Sequence, residues 1–216
     1  MARPASVDAM TEEPELFSLR TAAGLPPIYG PMSDAVLIVL NAQAEHSTDG
    51  ALVLPGLQEA VDNITALLLT ARKEDTEVVH IGQEGSEGRA FDPAKGGRII
   101  EQVAPVEGET VLGKGLPNGF THTGLQNHLA GIGRPHLIIC GFMTHLSVSS
   151  TARAALDLGY ETTVVSDATA TRALPSANGG AAISADELQN ASLAALADRF
   201  SAINTTVEVL ARNAAG

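Results

Sequence analysis

The chain has 216 residues, which is enough for one domain with a sizeable core and too short for two large ones. Apolar residues make up 44% and charged residues 18%, a balance that is typical of a folded protein and excludes a disordered chain. The formal charge of −12 would repel the phosphates of a nucleic acid or an anionic membrane, so neither is expected as a partner. The single cysteine, Cys140, excludes an internal disulfide.

The amino-terminal segment, residues 1–33, carries five prolines and no sustained apolar periodicity. We predict an irregular arm there, followed by one domain over residues 34–216. Such arms often lie on a neighbouring subunit, so a homo-oligomer is expected. The segment lacks the basic start and apolar stretch of a secretory signal, and no apolar run reaches the roughly 18 residues that cross a bilayer. We therefore expect a cytoplasmic protein.

The first half of the chain alternates between strand and helix signals. In chain order, residues 35–40 are a continuous apolar run, typical of a parallel strand buried on both faces. Residues 55–73 carry apolar side chains at helical spacing and predict an amphipathic helix. Residues 77–81 predict a second strand before a glycine-rich loop. A third predicted strand, residues 110–114, places Lys114 at its carboxyl end.

The second half continues the alternation. The predicted elements are a helix over residues 123–133, a strand over 136–141, a helix over 145–158, a strand over 161–166, a helix over 184–203 that begins with a capping box, and a strand over 205–210. Strands that alternate with helices indicate a mostly parallel sheet between two helical layers. We therefore predict an α/β fold, a three-layer α/β/α Rossmann-like sandwich with a six-stranded sheet.

Ligands of such sheets bind outside the carboxyl ends of the strands. Asn41 follows the first predicted strand, Lys114 ends the third, and Ser147 lies in the turn after the fourth. We expect these side chains to meet at one edge of the sheet, together with the loop after Ile81.

Two sequence motifs surround these positions. From Gly141 the chain reads Gly-Phe-Met-Thr-His-Leu-Ser-Val-Ser-Ser-Thr-Ala, close to the pattern G-x-x-T-x-x-C-V-x-x-T-A with Ser147 at the cysteine. Residues 37–43 are close to L-x-V-I-D-x-Q, with Asn41 at the aspartate.

Two more motifs complete the set. The pattern K-x(5)-F-x-x-T-x-L is met by Lys114, Phe120, Thr123 and Leu125, and the fourth motif is residues 164–172. With four motifs in this order over residues 34–203, the chain resembles the isochorismatase-like (cysteine hydrolase) superfamily. The resemblance implies that family's fold and the hydrolysis of a small molecule.

The resemblance maps the family's catalytic Asp, Lys and Cys onto Asn41, Lys114 and Ser147. In the amidase branch the Asp takes the thiol proton, the Lys acts electrostatically, and the thiolate attacks an amide carbonyl. In true isochorismatases the Asp supplies the proton for vinyl-ether cleavage. A carboxamide exchanges no proton at physiological pH, so Asn41 can perform neither step. Ser147 keeps a nucleophilic oxygen but needs a base, because an alkoxide forms far less readily than a thiolate.

Further side chains are candidates for binding the substrate or its oxyanion. They are Gln43, Arg89, Phe120, Met143, Thr144 and His145. Arg89 can hold a carboxylate through its planar guanidinium or simply lie at the surface. His145 is not expected to act as a direct base, because residues two apart on a helix, such as His145 and Ser147, do not face each other.

Three other histidines, His46, His80 and His122, can approach the strand ends, each as a base for Ser147 or as an ordinary polar residue. The nicotinamidase branch holds an ion with an Asp-x-His pair after the second strand. Residues 80–89 contain no such pair, so we expect neither a metal nor another cofactor. Three glycines in that stretch, spaced G-x-x-G-x-x-G, predict a mobile lid and not a dinucleotide site. Cys140, inside a predicted strand, is expected to be a small core residue.

Two hypotheses about function remain open. In the first, the protein hydrolyses a small amide, ester or vinyl ether, with Ser147 as a slow nucleophile or orienting hydroxyl, Lys114 as an electrostatic stabiliser and Asn41 positioning substrate or water. In the second, it is a pseudoenzyme that binds a metabolite or serves as a partner subunit. Weak turnover and a chemical adduct at Ser147 would favour the first, and ligand-induced stabilisation without turnover the second.

Overall fold

The structure of this chain, a computed structural model, describes residues 16–212. Within that range the strands are β1 (Ala35–Leu40), β2 (Glu77–Gln83), β3 (Thr110–Lys114), β4 (His136–Phe142), β5 (Glu161–Ala170) and β6 (Ala202–Asn204). They form one sheet in the order β3-β2-β1-β4-β5-β6, and every neighbouring pair is parallel. The predicted six-stranded parallel sheet is confirmed.

Helices cover both faces of this sheet. They are α1 (Leu19–Ala22), α2 (Leu57–Lys73), α3 (Leu125–Ile132), α4 (Ser149–Asp157), α5 (Ala185–Arg199) and α6 (Thr206–Ala211), with short 3-10 turns at Met32–Asp34, Ala44–His46 and Glu101–Val103. Among residues 16–212, no helix is long and apolar enough to cross a bilayer.

Strand β1 shows why two helical layers are needed. Leu37 and Val39 pack into one core with residues of α2 and α6, whereas Ile38 and Leu40 pack into a second core with residues of α3, α4 and α5. Successive side chains of a strand point to opposite faces of the sheet, so a strand covered on both sides must be apolar at every position. All six residues of β1 are buried, as the continuous apolar run predicts.

The predicted strand over residues 205–210 is wrong. This segment is helix α6, and the sixth strand is the short edge strand β6 just before it. The side chain of Thr205 accepts a hydrogen bond from the backbone N–H of Glu208, and the Glu208 carboxylate accepts one from the Thr205 N–H. This reciprocal capping box stabilises a helix start and outweighs the β-propensity of the Thr-Thr-Val run. Helix α5 correspondingly ends at Arg199, before the predicted residue 203.

The predicted arm is partly described. Residues 1–15 lie outside the described range, as do residues 213–216. The remainder is not irregular throughout, because helix α1 forms there with Ser18 as its N-cap. The backbone N–H of Leu19 donates to Asp198 of α5 at 2.9 Å, which fixes this helix to the body of the chain.

The turn after β4 also differs from the prediction. A helix was expected from residue 145, but Thr144–Val148 form one π-helical turn and α4 begins only at Ser149. The backbone N–H of Val148 donates to the carbonyl of Met143, five residues back, at 3.2 Å. Such π turns are rare and frequently occur at functional sites. Apolar spacing over so few residues does not distinguish a π turn from an α turn.

Candidate active site

Three polar side chains converge at the carboxyl ends of the strands. The amide Nδ2 of Asn41 donates to the Oγ of Ser147 at 3.0 Å, and the Nζ of Lys114 donates to the same oxygen at 3.2 Å. All three are buried, with exposed fractions of 4% for Asn41 and 1% for Lys114 and Ser147. Because β2 and β1 separate β3 from β4, the long side chain of Lys114 must cross the end of β2 to reach Ser147.

Asn41 is held in a tight turn immediately after β1. Its φ of 48° lies in the left-handed region, which asparagine tolerates better than most residues. Its backbone N–H donates to the Ile81 carbonyl and its own carbonyl accepts from the Gln43 N–H, both at 2.7 Å. The Oδ1 atom of Asn41 is buried without a hydrogen-bond partner in the described part of the chain.

Lys114 carries a buried amine without a carboxylate partner in the described residues. Its Nζ contacts three neutral oxygens, Oε1 of Gln83 at 2.8 Å, the Leu116 carbonyl at 3.2 Å and Oγ of Ser147. Burial disfavours the charged form of an amine and lowers the pKa of Lys114 from its ordinary 10.5 to about 8. Lys114 therefore changes its charge close to neutral pH.

This lowered pKa makes stability depend on pH in a defined direction. Above pH 7 the native state holds fewer protons at Lys114 than the unfolded chain does, so raising the pH favours the native state until the unfolded amine also titrates. Between pH 7 and 9 the unchanged chain should gain about 1 kcal/mol of unfolding free energy relative to Lys114→Met. Urea denaturation of both proteins at the two pH values measures this difference. A difference that stays constant or shrinks with pH would contradict the titration assigned to Lys114.

Gln43 connects the end of β1 to the end of β2. Its Nε2 donates to the carbonyls of Gln83 at 3.0 Å and Gly97 at 2.7 Å, and its Oε1 accepts from the Gln83 N–H at 2.8 Å. These bonds occupy both N–H donors of the Gln43 amide and one acceptor position of its oxygen with backbone groups of the protein. The structure therefore places Gln43 as a brace for Gln83, which in turn contacts Lys114.

Gln83 is a site residue that the sequence analysis does not name individually. It belongs to the segment after Ile81 that we expect at the site, and in the structure it is the polar residue at the carboxyl end of β2. Its Oε1 accepts from Lys114 and its Nε2 donates to the Gly115 carbonyl at 3.2 Å. Its place at the end of a strand, between two strands that carry site residues, is the signal that could have identified it.

Three of the remaining predicted residues lie on the same turn as Ser147. Met143 is buried in the core beside α2, and the peptide bond before it is cis. Thr144 is completely buried, and its Oγ1 has no hydrogen-bond partner among the described residues. The Nδ1 atom of His145 is hydrogen-bonded to the Oγ1 of Thr171, while burial and the nearby Arg172 lower the pKa of His145. His145 is therefore bonded away from Ser147.

Phe120 and Arg89 lie apart from the three central side chains. The Phe120 ring stacks on Tyr160 at a centroid distance of 6.0 Å, and Tyr160 precedes β5 at the opposite end of that strand. Arg89 is exposed and lines a cleft of about 450 Å³ between the loops 44–51 and 88–98. Order along the chain does not give the path of the loops that carry these two side chains, so their role in binding a substrate stays a prediction.

The other histidines are bonded elsewhere or exposed. Nδ1 of His46 pairs with the Leu52 carbonyl at 3.1 Å, and Nε2 of His80 pairs with the Glu109 carboxylate at 3.0 Å. His122 is exposed. Among residues 16–212 no group of three His, Cys, Asp or Glu side chains is placed to hold a metal.

Cys140 is not a site residue in this structure. It is completely buried in β4, its thiol donates to the Ile38 carbonyl at 3.6 Å, and burial raises the pKa of the thiol. A neutral thiol of this kind acts as a small apolar group and is not available as a nucleophile.

Comparisons with known proteins identify the family of the chain. A family model for the isochorismatase domain matches residues 35–208. The secreted isochorismatase effector Isc1 of Verticillium dahliae is 30% identical over 196 residues, 90% of this chain and 100% of that protein. The ureidoacrylate amidohydrolase RutB of Klebsiella pneumoniae subsp. pneumoniae is 28% identical, over 65% of this chain and 75% of that protein. Because the first of these relatives is named a secreted protein, the expected cytoplasmic location stays a prediction.

Solved structures give the same result. The crystal structure of an isochorismatase from Pseudomonas putida superimposes with a TM-score of 0.85 and 38% identity, covering 90% of this chain and 100% of that one. The sheet order and these matches together show that the chain belongs to the isochorismatase family of hydrolases.

Proposed function

We propose that this protein hydrolyses a small amide or ester, with Ser147 as the nucleophile. The observation that carries the proposal is the Ser147 hydroxyl itself, which is buried and contacted at 3.0 Å by the Asn41 amide and at 3.2 Å by the Lys114 amine. Two donors on one oxygen fix its orientation and stabilise negative charge that develops there. In a site that excludes water this stabilisation is larger than in solution.

The available groups favour a carbonyl substrate over a vinyl ether. Cleavage of a vinyl ether in this family needs a proton from the aspartate position, and Asn41 cannot supply one. Attack on a carbonyl by a serine needs the hydroxyl and hydrogen-bond donors, which are present, and a group that takes the hydroxyl proton. The likeness to a relative named an amidohydrolase supports the same substrate class.

Thr144 is proposed to contact the substrate. Its Oγ1 is completely buried, has no hydrogen-bond partner in residues 16–212, and lies on the same π turn as Ser147. A buried hydroxyl without a partner costs roughly 1 to 3 kcal/mol, a cost that a bound ligand would remove. We assign this hydroxyl to the substrate carbonyl or its oxyanion.

The experiment is chemical trapping combined with a substrate screen. The protein is treated with a fluorophosphonate, which modifies activated serines, and the modified peptide is identified by mass spectrometry. It is also assayed on a panel of small amides, ureides and esters. We expect an adduct at Ser147, turnover of at least one carbonyl substrate, and loss of both in Ser147→Ala.

Ser150→Ala is the matched control. Ser150 lies three residues further along the chain, and its hydroxyl contacts the backbone carbonyls of Leu146 at 2.8 Å and Ser147 at 3.3 Å. It does not contact the Ser147 hydroxyl, so its removal leaves the bonds of that hydroxyl to Asn41 and Lys114 in place. This variant should keep both adduct and turnover. No adduct and no turnover in the unchanged chain would count against a hydrolase. Thermal stabilisation by members of the same panel would then support the second candidate, a ligand-binding protein without catalysis, which the loss of a proton-carrying group at position 41 favours.

A further inference from the structure

The hydrogen bonds around Lys114 and Ser147 can be counted for each charge state of the amine. The Nζ atom lies near three acceptors, Oε1 of Gln83, the Leu116 carbonyl and Oγ of Ser147, at 2.8, 3.2 and 3.2 Å. The same Oγ accepts a hydrogen bond from Nδ2 of Asn41. An ammonium has three N–H donors, whereas a neutral amine has two donors and one lone pair.

With an ammonium, the network leaves one hydrogen without a partner. All three N–H groups of Lys114 are then donated, and Ser147 accepts from both Lys114 and Asn41. The hydroxyl hydrogen of Ser147 must point away from both, and no other hydrogen bond of its Oγ is found in residues 16–212. A buried donor without an acceptor is costly.

With a neutral amine, the hydroxyl hydrogen of Ser147 and both N–H groups of Lys114 have acceptors. Two N–H groups of Lys114 serve Gln83 and Leu116, and the lone pair faces the hydroxyl of Ser147, which still accepts from Asn41. The amide of Asn41 presents its donor to the hydroxyl, so it does not compete for the hydroxyl hydrogen.

The surroundings also permit the neutral amine. Within the described residues no ion pair includes Lys114, and the family's aspartate, which would hold a positive charge here, is replaced by Asn41. Burial lowers the pKa of Lys114 to about 8. A sizeable fraction of the protein therefore carries the neutral amine at or just above neutral pH.

We infer that Lys114, as a neutral amine, is the general base that takes the proton of Ser147, so that the two residues form a serine–lysine dyad. This inference rests on the proposed function, in which Ser147 is the nucleophile. It gives Lys114 the step that the missing aspartate performs in the family.

The first half of the reaction balances without any other group. As the Ser147 Oγ forms a bond to the substrate carbonyl carbon, its proton passes to Nζ of Lys114 and the carbonyl π pair moves onto the carbonyl oxygen. The tetrahedral intermediate then collapses, the C–N or C–O bond breaks, and the leaving group takes the proton from Nζ. The product is an acyl ester on Ser147 and a neutral Lys114.

The second half repeats the sequence with water. Water attacks the acyl carbon and gives its proton to Nζ, and collapse of the intermediate breaks the bond to Oγ, which takes the proton back. Between the two transfers the ammonium lies beside the developing negative charge. One residue therefore acts as the base and, once protonated, as the electrostatic stabiliser.

Other titratable groups come from the elements that pack around Lys114. His46, in the turn after β1, is fully buried, and burial lowers the pKa of its ring. His145, on the π turn, also has a lowered pKa. Neither is expected to titrate near pH 8. Glu84, after β2, is exposed and lies over Gly113, and Arg172, after β5, carries a fixed positive charge near His145.

The test is the pH dependence of Ser147 acylation in the full chain. The protein is mixed with p-nitrophenyl acetate between pH 6 and 10, and acetylation of Ser147 is followed by mass spectrometry. We expect the rate constant to rise with one ionisation near pH 8 and then level off. Independently, ¹³Cε NMR of lysine-labelled protein, with Lys114→Arg to assign the signal, should show the same midpoint without any reaction.

Three substitutions distinguish a general base at position 114 from a permanently charged group. Lys114→Arg keeps the positive charge but does not deprotonate, and it should lower the acetylation rate by on the order of 100-fold, as should Lys114→Met. Asn41→Asp adds a carboxylate beside the amine, which favours the ammonium, and should move the NMR midpoint upward by about one pH unit or more.

The outcomes distinguish the two proposals. Acetylation of Ser147 that is independent of pH from 7 to 9, or that Lys114→Arg leaves intact, would overturn the dyad while supporting Ser147 as the nucleophile. An NMR midpoint close to that of an exposed lysine would overturn the dyad as well. No acetylation of Ser147 at any pH would overturn both proposals.

Discussion

Replacing Asn41 with aspartate and Ser147 with cysteine in the same chain should raise the rate of small-amide hydrolysis by on the order of 100-fold. Nδ2 of Asn41 lies 3.0 Å from Oγ of Ser147, so a carboxylate oxygen at that place can accept the thiol proton. The Nζ of Lys114, 3.2 Å from the same atom, would then stabilise the thiolate. A thiol has an ordinary pKa of about 8.5, which makes its anion far easier to form than an alkoxide.

The double replacement also changes the role that we assign to Lys114. A carboxylate at position 41 favours the charged amine and raises the pKa of Lys114, so the residue no longer serves as a base. The pH profile of the double variant should therefore lose the rise near pH 8 that we expect for the unchanged chain. Each profile is measured as kcat/KM on the best substrate of the amide and ester panel.

A second thiol variant controls for nonspecific reactivity. Asn41→Asp combined with Ser150→Cys carries the same two residue types, but the side chain at position 150 is directed to the Leu146 carbonyl and not to Lys114. This control should show no gain in turnover. If the Asn41→Asp, Ser147→Cys variant is also no faster than the unchanged chain, the three side chains do not form the hydrolytic geometry of the family, and the proposed function loses its main support.

The sequence predicts the fold well where one physical signal dominates. Strand β1 lies at its predicted bounds. A continuous apolar run of that length is what a strand buried on both faces requires, so the signal is unambiguous there. The prediction fails at residues 205–210, where β-branched residues and a capping box compete and the capping box prevails. Thr205 and Glu208 have the same spacing as the capping box that predicts the start of α5, but residue types alone do not show which of two competing signals prevails.

For the candidate site, the order of strands along the chain predicts which strand-end residues meet, but it does not predict the hydrogen-bond partners around them. Asn41, Lys114 and Ser147 meet because parallel strands end at one edge of the sheet. The sequence could not show that Lys114 has no carboxylate partner within the described range, since this depends on every side chain within reach. Nor could it show that the Gln43 side chain is hydrogen-bonded to the backbone of Gln83, because the partners of an amide are set by the paths of distant loops.

Gly141→Ala should destabilise the protein by about 3 kcal/mol, the largest stability effect that we expect from adding one methyl group. Gly141 lies in β4 at a φ of 105°, where the β4–β5 register shifts, and this conformation is strained for any residue with a Cβ. A Cβ there would lie 2.0 Å from the carbonyl oxygen of Leu40 and 2.7 Å from its backbone nitrogen. Both contacts are with the backbone of β1, so no side chain can rotate away.

Urea denaturation measures the loss of unfolding free energy in Gly141→Ala. Alanine substitutions at two other glycines are the controls. Gly133 has a φ of 75° but open space around it, so Gly133→Ala should cost only the backbone strain, about 1 kcal/mol. Gly131 lies inside α3, and a Cβ added there would have no neighbour within 4 Å. Gly131→Ala should therefore raise the free energy of unfolding by up to about 1 kcal/mol. A loss in Gly141→Ala no larger than in Gly133→Ala would mean that β1 and β4 can separate without cost at this point.

The same substitution connects the packing of the sheet to the chemistry of the site. Leu40 is paired with Gly141 in the sheet, and Asn41 and Ser147 follow these two strands. Pushing the strands apart at this pair must lengthen the 3.0 Å bond between Asn41 and Ser147. Under conditions where Gly141→Ala is still folded, acetylation of Ser147 should therefore slow by at least about 10-fold, because catalytic groups displaced by about 1 Å lose much of their effect. Gly133→Ala, which is strained but lies after α3, should acetylate at the unchanged rate.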